Sequence, residues 1–304
     1  MISILIPVYN IDVNPLVEAI YEQIIPLDIP YEIIVIDDCS TEHLPEIKRF
    51  YRSKTIKVLK SDVNLGRSSV RNLLVENSHY PWLIFLDADT LPQHHNFIST
   101  YIKLIESQPP ASVYFGGIAY DAKDKNQHNS LRYTYGINRE SKPLAKRQKP
   151  HPYSSLLMSN TLIKKEVFEK VKFNDKITLY GHEDAVFAWD LYKAGVVVEH
   201  IDNPAYHKGI EPNDVFIAKT KEALENLLVL YRKGVIDVKI NKLLRYYERA
   251  NASYMTGLLA GFYKNRHRQW ESWLSVENPS LYSFDLYRLS YFCYLSKNLK
   301  QLNR

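Results

Sequence analysis

The sequence predicts an α/β protein with a parallel, doubly wound sheet, flanking helices and a helical C-terminal region. Apolar, β-branched runs alternate with segments of helical periodicity through about the first two hundred residues. Three of those runs in the first ninety residues stop abruptly at polar residues, and in open α/β sheets the carboxyl ends of strands are where ligands bind. Beyond Asp214 the strand pattern disappears and amphipathic helices replace it.

Ile2 to Ile6 reads as a buried strand ended by Pro7-Val8-Tyr9-Asn10, because proline cannot donate to a ladder and asparagine favours turns. Leu16, Ala19, Ile20 and Ile24 recur near helical spacing, and Pro26 and Pro30 close that helix. Glu32 to Ile36 is a second strand, halted by Asp37-Asp38-Cys39-Ser40; a helix around Leu44 to Tyr51 and a short strand Ile56 to Leu59 continue the rhythm. Asn64 to Arg67 reads as a turn before a helix from Ser68 to Asn77. Arg71 sits near that helix's opening, where its fork suits pyrophosphate oxygens unless it is simply solvated.

Trp82-Leu83-Ile84-Phe85-Leu86 is a strand covered on both faces that ends at Asp87-Ala88-Asp89. Paired carboxylates at such a lip suit a hard divalent cation shared with phosphates; a turn at Asp87 and a helix cap at Asp89 are the plainer reading. A helix over Asn96 to Ser107 precedes a strand over Ala111 to Tyr120 that contains Gly116-Gly117. Residues 121–150 form a basic, proline-punctuated insertion, either a solvated surface loop or a mobile lid. Tyr180-Gly181-His182-Glu183-Asp184 opens a helix, its acids either caps or a carboxylate presented to a cleft. A strand at Val196 to Ile201 leads to Tyr206 and His207, an imidazole that is either structural or part of an oxygen-rich metal site.

The 304 residues are 45% hydrophobic and 24% charged, ordinary globular values. A net charge of +5 is too weak to argue for nucleic acid, and no nucleic-acid partner is expected. Cys39 and Cys293 lie far apart, without disulfide or metal spacing, which favours a reducing compartment. With no leader pattern and no apolar run near ~20 residues, the expected location is cytoplasmic. The alternation of aromatics with Lys and Arg in Tyr263 to Trp270 adds peripheral contact at the inner face of a membrane as the alternative to simple packing of the helical tail.

Taken in series, Pro7-Val8-Tyr9-Asn10, Val35 to Ser40, Asn64-Leu65-Gly66 with Arg71-Asn72, Leu86 to Asp89 and Gly181 to Asp184 resemble family 2 glycosyltransferases in order and spacing. The resemblance covers roughly residues 1–210. It implies a GT-A fold over 1–213 with a helical region over 214–304, a nucleotide-sugar donor, a divalent metal (Mn²⁺ or Mg²⁺) and inversion at the anomeric carbon. UDP is the expected nucleotide, and the acceptor a glycan or lipid-linked hydroxyl in cell-surface polysaccharide synthesis.

Carried over by residue, Pro7, Val8, Tyr9 and Asp38 resemble the positions that hold base and ribose, with Arg71 beside them. Asp87 and Ala88 would face the ribose or donor sugar, Asp89 resembles the metal-binding acid, His207 a histidine some members add to the metal, and Asp184 the catalytic base. Cys39 departs from the family's usual glycine, and no Gln-x-x-Arg-Trp motif is found, which disfavours the processive membrane-embedded synthases. Two rivals differ in class. A nucleotidyltransferase is disfavoured by the lack of a glycine-rich, lysine-bearing phosphate loop, and a non-catalytic sugar-binding module would tolerate loss of Asp89 or Asp184, yet both are present.

Overall fold

The computed structural model describes residues 1–42, 54–149 and 151–298; the helix expected around Leu44 to Tyr51 lies outside the described residues. In chain order, β1 (Ile2–Val8), α1 (Asn14–Ile24), β2 (Tyr31–Asp37), β3 (Ile56–Lys60), α2 (Arg67–Glu76) and β4 (Trp82–Leu86) form the first half of the sheet and its covering helices. Next come β5 (Thr90–Pro92), α3 (Phe97–Glu106), β6 (Val113–Phe115), β7 (Ile118–Ala119), α4 (Ser130–Tyr135), α5 (Leu144–Gln148) and β8 (Asn160–Lys164). The chain continues through α6 (Lys165–Lys170), α7 (Glu183–Lys193), β9 (Val198–His200) and β10 (Ala205–His207). It closes on α8 (Asn213–Arg232), α9 (Lys242–Ala252), α10 (Thr256–Leu274) and α11 (Leu281–Asn298).

Among the described residues the main sheet runs β3-β2-β1-β4-β8-β6-β9. The first four strands are parallel, as expected, but β8 is antiparallel to both β4 and β6, so the sheet is mixed. The reason is where the chain enters: Asn160, the first residue of β8, pairs with Leu86, the last of β4. The chain reaches β8 at the edge where β4 ends, with no crossover helix to return it to the far edge. This places Met158 and Ser159 at the same lip as Asp87, whose N–H donates to the Ser159 carbonyl (3.4 Å).

The strands are apolar on both faces because helices cover both. Ile4 and Ile6 of β1 pack with Leu16 and Ile20 of α1 and Phe97 of α3, while Leu5 faces Val70 and Leu74 of α2, Phe168 of α6 and Phe187 of α7. The C-terminal helices make a third cluster from Leu227, Leu244, Trp270, Phe284 and Phe292, and it includes Leu131 of α4 and Val186 of α7. The helical region therefore packs directly on the elements that carry the 180–184 motif.

Two expectations change here. The single strand over Ala111 to Tyr120 is broken at Gly116-Gly117 into β6 in the main sheet and β7 in a small sheet ordered β5-β10-β7. Gly117 has φ 104°, and a Cβ there would lie 2.9 Å from the Arg147 guanidinium, so glycine alone permits the approach. Nor is the basic insertion a solvated loop. Arg147 is buried and donates to the carbonyls of Lys142, Phe115, Gly116 and Ile201, while buried Arg132 pairs with Glu140 at 3.1 Å. Positive charge in this segment is partly spent on pinning it to the sheet.

Candidate active site

The loops after β1, β2 and β3 are laced into one lip. The Asp38 N–H donates to Val8 O (2.8 Å), and Asn10 Oδ1 accepts from the N–H groups of Thr41 (2.8 Å) and Glu42 (3.1 Å). Asp38 is buried, its two carboxylate oxygens accepting from Leu65 N–H (2.7 Å) and Gly66 N–H (2.9 Å). It thus fixes the turn that launches α2. Cys39 adopts φ 61°, the left-handed region that favours the glycine expected there.

These loops line a cleft of about 320 Å³ that gathers Pro7, Val8, Tyr9, Asp38, Arg71, Asp87, Ala88 and Asp89. Every residue expected on the nucleotide side is in it, and the Tyr9 ring is exposed at its mouth. A second cavity of about 330 Å³ adjoins it, lined by Asp184, His182, Tyr135 and Phe216, and shares Arg67, Tyr180, Glu183 and Lys219 with the first.

Arg71 stands between the carboxylates, and the guanidinium expected to aim at phosphate is committed to them. It is 3% exposed, with Nη2 2.8 Å from Asp87 Oδ1 and Nη1 3.5 Å from Asp184 Oδ1 and 3.8 Å from Glu183 Oε1. Burial opposes the charge of Asp87, but Arg71 and Arg67 outweigh it and hold its carboxyl below the usual range. Glu183 is lowered likewise, its burial outweighed by Arg67 and Arg71. Asp184 goes the other way. Burial, helped by Glu183 and Asp87 and opposed by Arg71, pushes it up to about 6. The favourable start of α7 does not prevail over that desolvation. Asp184 does not cap its helix either: its Oδ2 accepts from the Met158 N–H of the β8 approach (3.0 Å), which leaves Oδ1 the less committed oxygen.

Asp89 meets His207 because the small sheet pairs Thr90 with His207 in antiparallel register. His207 Nε2 lies 3.4 Å from Asp89 Oδ2, and the Tyr120 ring stacks on the imidazole at 5.5 Å. Behind them the chain must be bare: a Cβ on Gly209 would lie 2.6 Å from Asp89 Oδ2. Asp89 Oδ1 and His207 Nδ1 are buried without a hydrogen-bond partner. Burial raises the Asp89 carboxyl, a cost that a bound cation would remove. An orphaned carboxylate oxygen beside an imidazole fits Mn²⁺ or Mg²⁺ completed by phosphate oxygens, although among the described residues no three His, Cys, Asp or Glu side chains gather as a ready-made site.

Residues 3–172 match the family model for glycosyl transferase family 2, more than half of the chain. The chain belongs to this family. A glycosyltransferase of Haemophilus influenzae described as uncharacterized is 34% identical over 91 residues, 29% of each chain. The poly(ribitol-phosphate) β-N-acetylglucosaminyltransferase TarS of Staphylococcus aureus is 30% identical over 91 residues, 29% of this chain and 16% of TarS. The chain therefore spans less than a third of the length of the curated relatives it matches. Among solved structures, the Pyrobaculum calidifontis mannosyltransferase in complex with GDP-Man and Mn²⁺ superposes with TM-score 0.58 at 15% identity, over 98% of this chain and 87% of that one. S. aureus TarS in complex with UDP-GlcNAc gives 0.52 at 14% identity, over 97% and 92%. These likenesses establish the fold, a GT-A sheet with C-terminal helices.

Within this family 2 fold, four residues of the site lay outside the sequence reading of it. Arg67 begins α2, lines both cavities, lies 3.3 Å from Glu183 and sits 4.8 Å over the Tyr180 ring. Lys219 of α8 lies over the same ring at 5.5 Å and pairs with Glu211. Glu183 and Tyr180 complete the wall. Arg67, Tyr180 and Glu183 stand within stretches already noted, a usable signal; Lys219 had none, because only packing of α8 brings it there.

Proposed function

We propose that this protein is an inverting glycosyltransferase that moves a sugar from a nucleotide-sugar, UDP-linked by preference, to a hydroxyl of a glycan or lipid-linked acceptor in cell-surface polysaccharide synthesis. The observation that carries it is Asp184, a carboxylate raised to about 6 in the second cavity, next in sequence to Glu183 of the wall that both cavities share and tied through Arg71 to Asp87 in the cleft. The base and ribose lie along Pro7, Val8, Tyr9 and Asp38, and Asp87 with Ala88 faces the ribose or donor sugar. Arg71 serves by positioning Asp87 and Asp184, while Arg67 and Lys219 offer the cations nearer the phosphates. Asp89 and His207 would hold the divalent cation, which would supply electrostatic stabilisation of the diphosphate leaving group. Asp184 accepts the proton of the acceptor hydroxyl. The freed oxygen pair bonds to the anomeric carbon from the face opposite the donor bond, and that bond's electrons leave with the diphosphate.

The test is a thermal-shift panel of UDP-, GDP-, CMP- and dTDP-sugars with and without Mn²⁺. A ligand at about a hundred times its Kd adds ~2.7 kcal/mol of stability. One nucleotide class should raise the melting temperature, and chelation should diminish the rise. A shift unchanged by chelator sinks the metal assignment; binding without nucleotide release in the presence of acceptors leaves a non-catalytic module.

The C-terminal helices suit a peripheral contact with the inner face of a membrane. No helix among the described residues is long and apolar enough to cross one. Tyr254 between α9 and α10, and Leu258 and Phe262 on α10, are 93%, 67% and 47% exposed, and the exposed cations Arg245 and Arg249 lie on α9 and Lys264, Arg266 and Arg268 on α10. Flotation with phosphatidylcholine vesicles containing phosphatidylglycerol should show binding that falls with salt and with charge reversal at Arg266 and Arg268. No flotation at physiological salt would favour a soluble acceptor.

A further inference from the structure

Tyr120 directly follows β7, and strand register brings it to His207. β7 and β10 are parallel neighbours with Ala119 paired to Tyr206, so the next residue of each strand leaves the small sheet on the same face. Their rings stack, with centroids 5.5 Å apart and planes 21° from parallel.

The rest of the Tyr120 side chain is gripped by the basic insertion. Its hydroxyl donates to Glu140 Oε2, and Arg132 Nη2 lies 3.1 Å from the same oxygen. The buried Arg132 guanidinium also sits 5.5 Å over the Tyr120 ring and 5.3 Å over Phe216 of α8, while Tyr133 meets the ring edge-on at 6.1 Å. Glu140 arrives through a widened helical turn, Gly136–Glu140, in which the Ser141 N–H donates to Gly136 O five residues back (2.9 Å). Gly136 has to be bare, because a Cβ there would lie 2.2 Å from the Tyr120 ring.

His207 needs a support of this kind. A metal-binding histidine ordinarily donates its second ring N–H to a carboxylate, a carbonyl or water, and that bond orients the imidazole. Here Nε2 is the nitrogen beside Asp89, 3.4 Å from Oδ2, and Nδ1 is buried with no hydrogen-bond partner among the described residues. The terminal torsion of a histidine is broad. The plane of this ring is therefore set by what packs on its face.

We propose that Tyr120 is a positioning residue for the divalent cation: its ring, gripped by Glu140 and Arg132 and seated against Gly136, fixes the plane of the His207 imidazole so that Nε2 and Asp89 converge on one ion. This rests on the reading of Asp89 and His207 as the cation's ligands given above.

Electron paramagnetic resonance of Mn²⁺ titrated into the full chain with UDP and, in parallel, with GDP reads the ion directly and needs no turnover; titrations of nucleotide alone supply the correction. Tyr120→Leu removes the ring face and should weaken Mn²⁺ binding about 10–100-fold, the range usual for residues that orient a metal ligand. Tyr120→Phe keeps the face, loses only the bond to Glu140, and should bind as the parent does. Gly136→Ala, which drives a methyl group into the ring, should copy Tyr120→Leu. In a His207→Ala background, where Asp89 and the diphosphate alone bind the ion, Tyr120→Leu should cost nothing further, because no imidazole is left to orient. Parental affinity in Tyr120→Leu, an equal loss in Tyr120→Phe, or the same loss in the His207→Ala background overturns the proposal, and Mn²⁺ binding by the parent then leaves the metal assignment standing. A parent that takes up no Mn²⁺ beyond what the nucleotide holds overturns both.

Discussion

Asp184→Asn is expected to lower turnover by about 10²–10⁴-fold, the usual contribution of a general base, with nucleotide affinity unchanged. The amide keeps the shape and can still accept from the Met158 N–H through its oxygen, but it cannot take a proton from a hydroxyl. A role confined to helix capping predicts a different result: about 1 kcal/mol of stability lost and activity retained. The geometry disfavours that role, because the bond from Met158 lies outside α7. The pH dependence gives a second check. With Asp184 at about 6, kcat/KM should fall on the acid side of that value as the carboxyl protonates.

The stability consequence has a definite sign. The folded value lies above the ordinary 3.8, so the native state binds more protons than the unfolded chain between these pH values. The stabilisation from this group is complete below about 4 and is lost as pH rises through about 6. Asp184→Asn should flatten that part of the stability profile. Near-parental turnover in a folded variant would refute the catalytic role.

Arg71→Met is expected to be the most destabilising single change at the site, by about 3–5 kcal/mol, the cost typical of breaking a buried ion pair. The residue is 3% exposed, and Asp87, Glu183 and Asp184 all lie within 4 Å of its guanidinium, so removal leaves carboxylates in one desolvated pocket with Arg67 as the nearest remaining cation. Against a total stability of about 5–15 kcal/mol, this is a large fraction. Denaturant melts would measure it. The loss should shrink when Asp184→Asn is added, because one of the uncompensated charges is gone, and the non-additivity is the direct signature of the network. If Arg71 were instead a solvated or phosphate-directed arginine, Arg71→Met would weaken donor binding and cost little stability.

What the sequence determined by itself is what local chemistry dictates. β-Branched runs that stop at Pro7, Asp37 and Asp87 specify strands with polar C-terminal ends, and parallel sheets bring such ends to one lip, so the place of the cleft was legible before its contacts were known, while a nucleotide-side role for its residues is what the family resemblance implies. The glycine motif before Glu183-Asp184 likewise marked two acids that reach the cavities, Glu183 in the wall that both share and Asp184 in the second. Partners that depend on distant pairings were not legible. Arg71 is a helix residue with a free fork in sequence, and only the approach of α7 and β4 shows three carboxylates closing on it.

The reversal of β8 follows from where the chain after β7 enters it, which no periodicity encodes, and buried Arg132 and Arg147 look like surface charges until Glu140 is in place beside the first and the carbonyls of Phe115, Gly116 and Ile201 beside the second. His207 reaches Asp89 through a three-residue antiparallel register, and Lys219 reaches the cleft through packing of α8. A residue's propensity is local and can be read along the chain; its electrostatic partner is set by the fold, because Coulomb and hydrogen-bond energies depend on separation in space rather than in sequence.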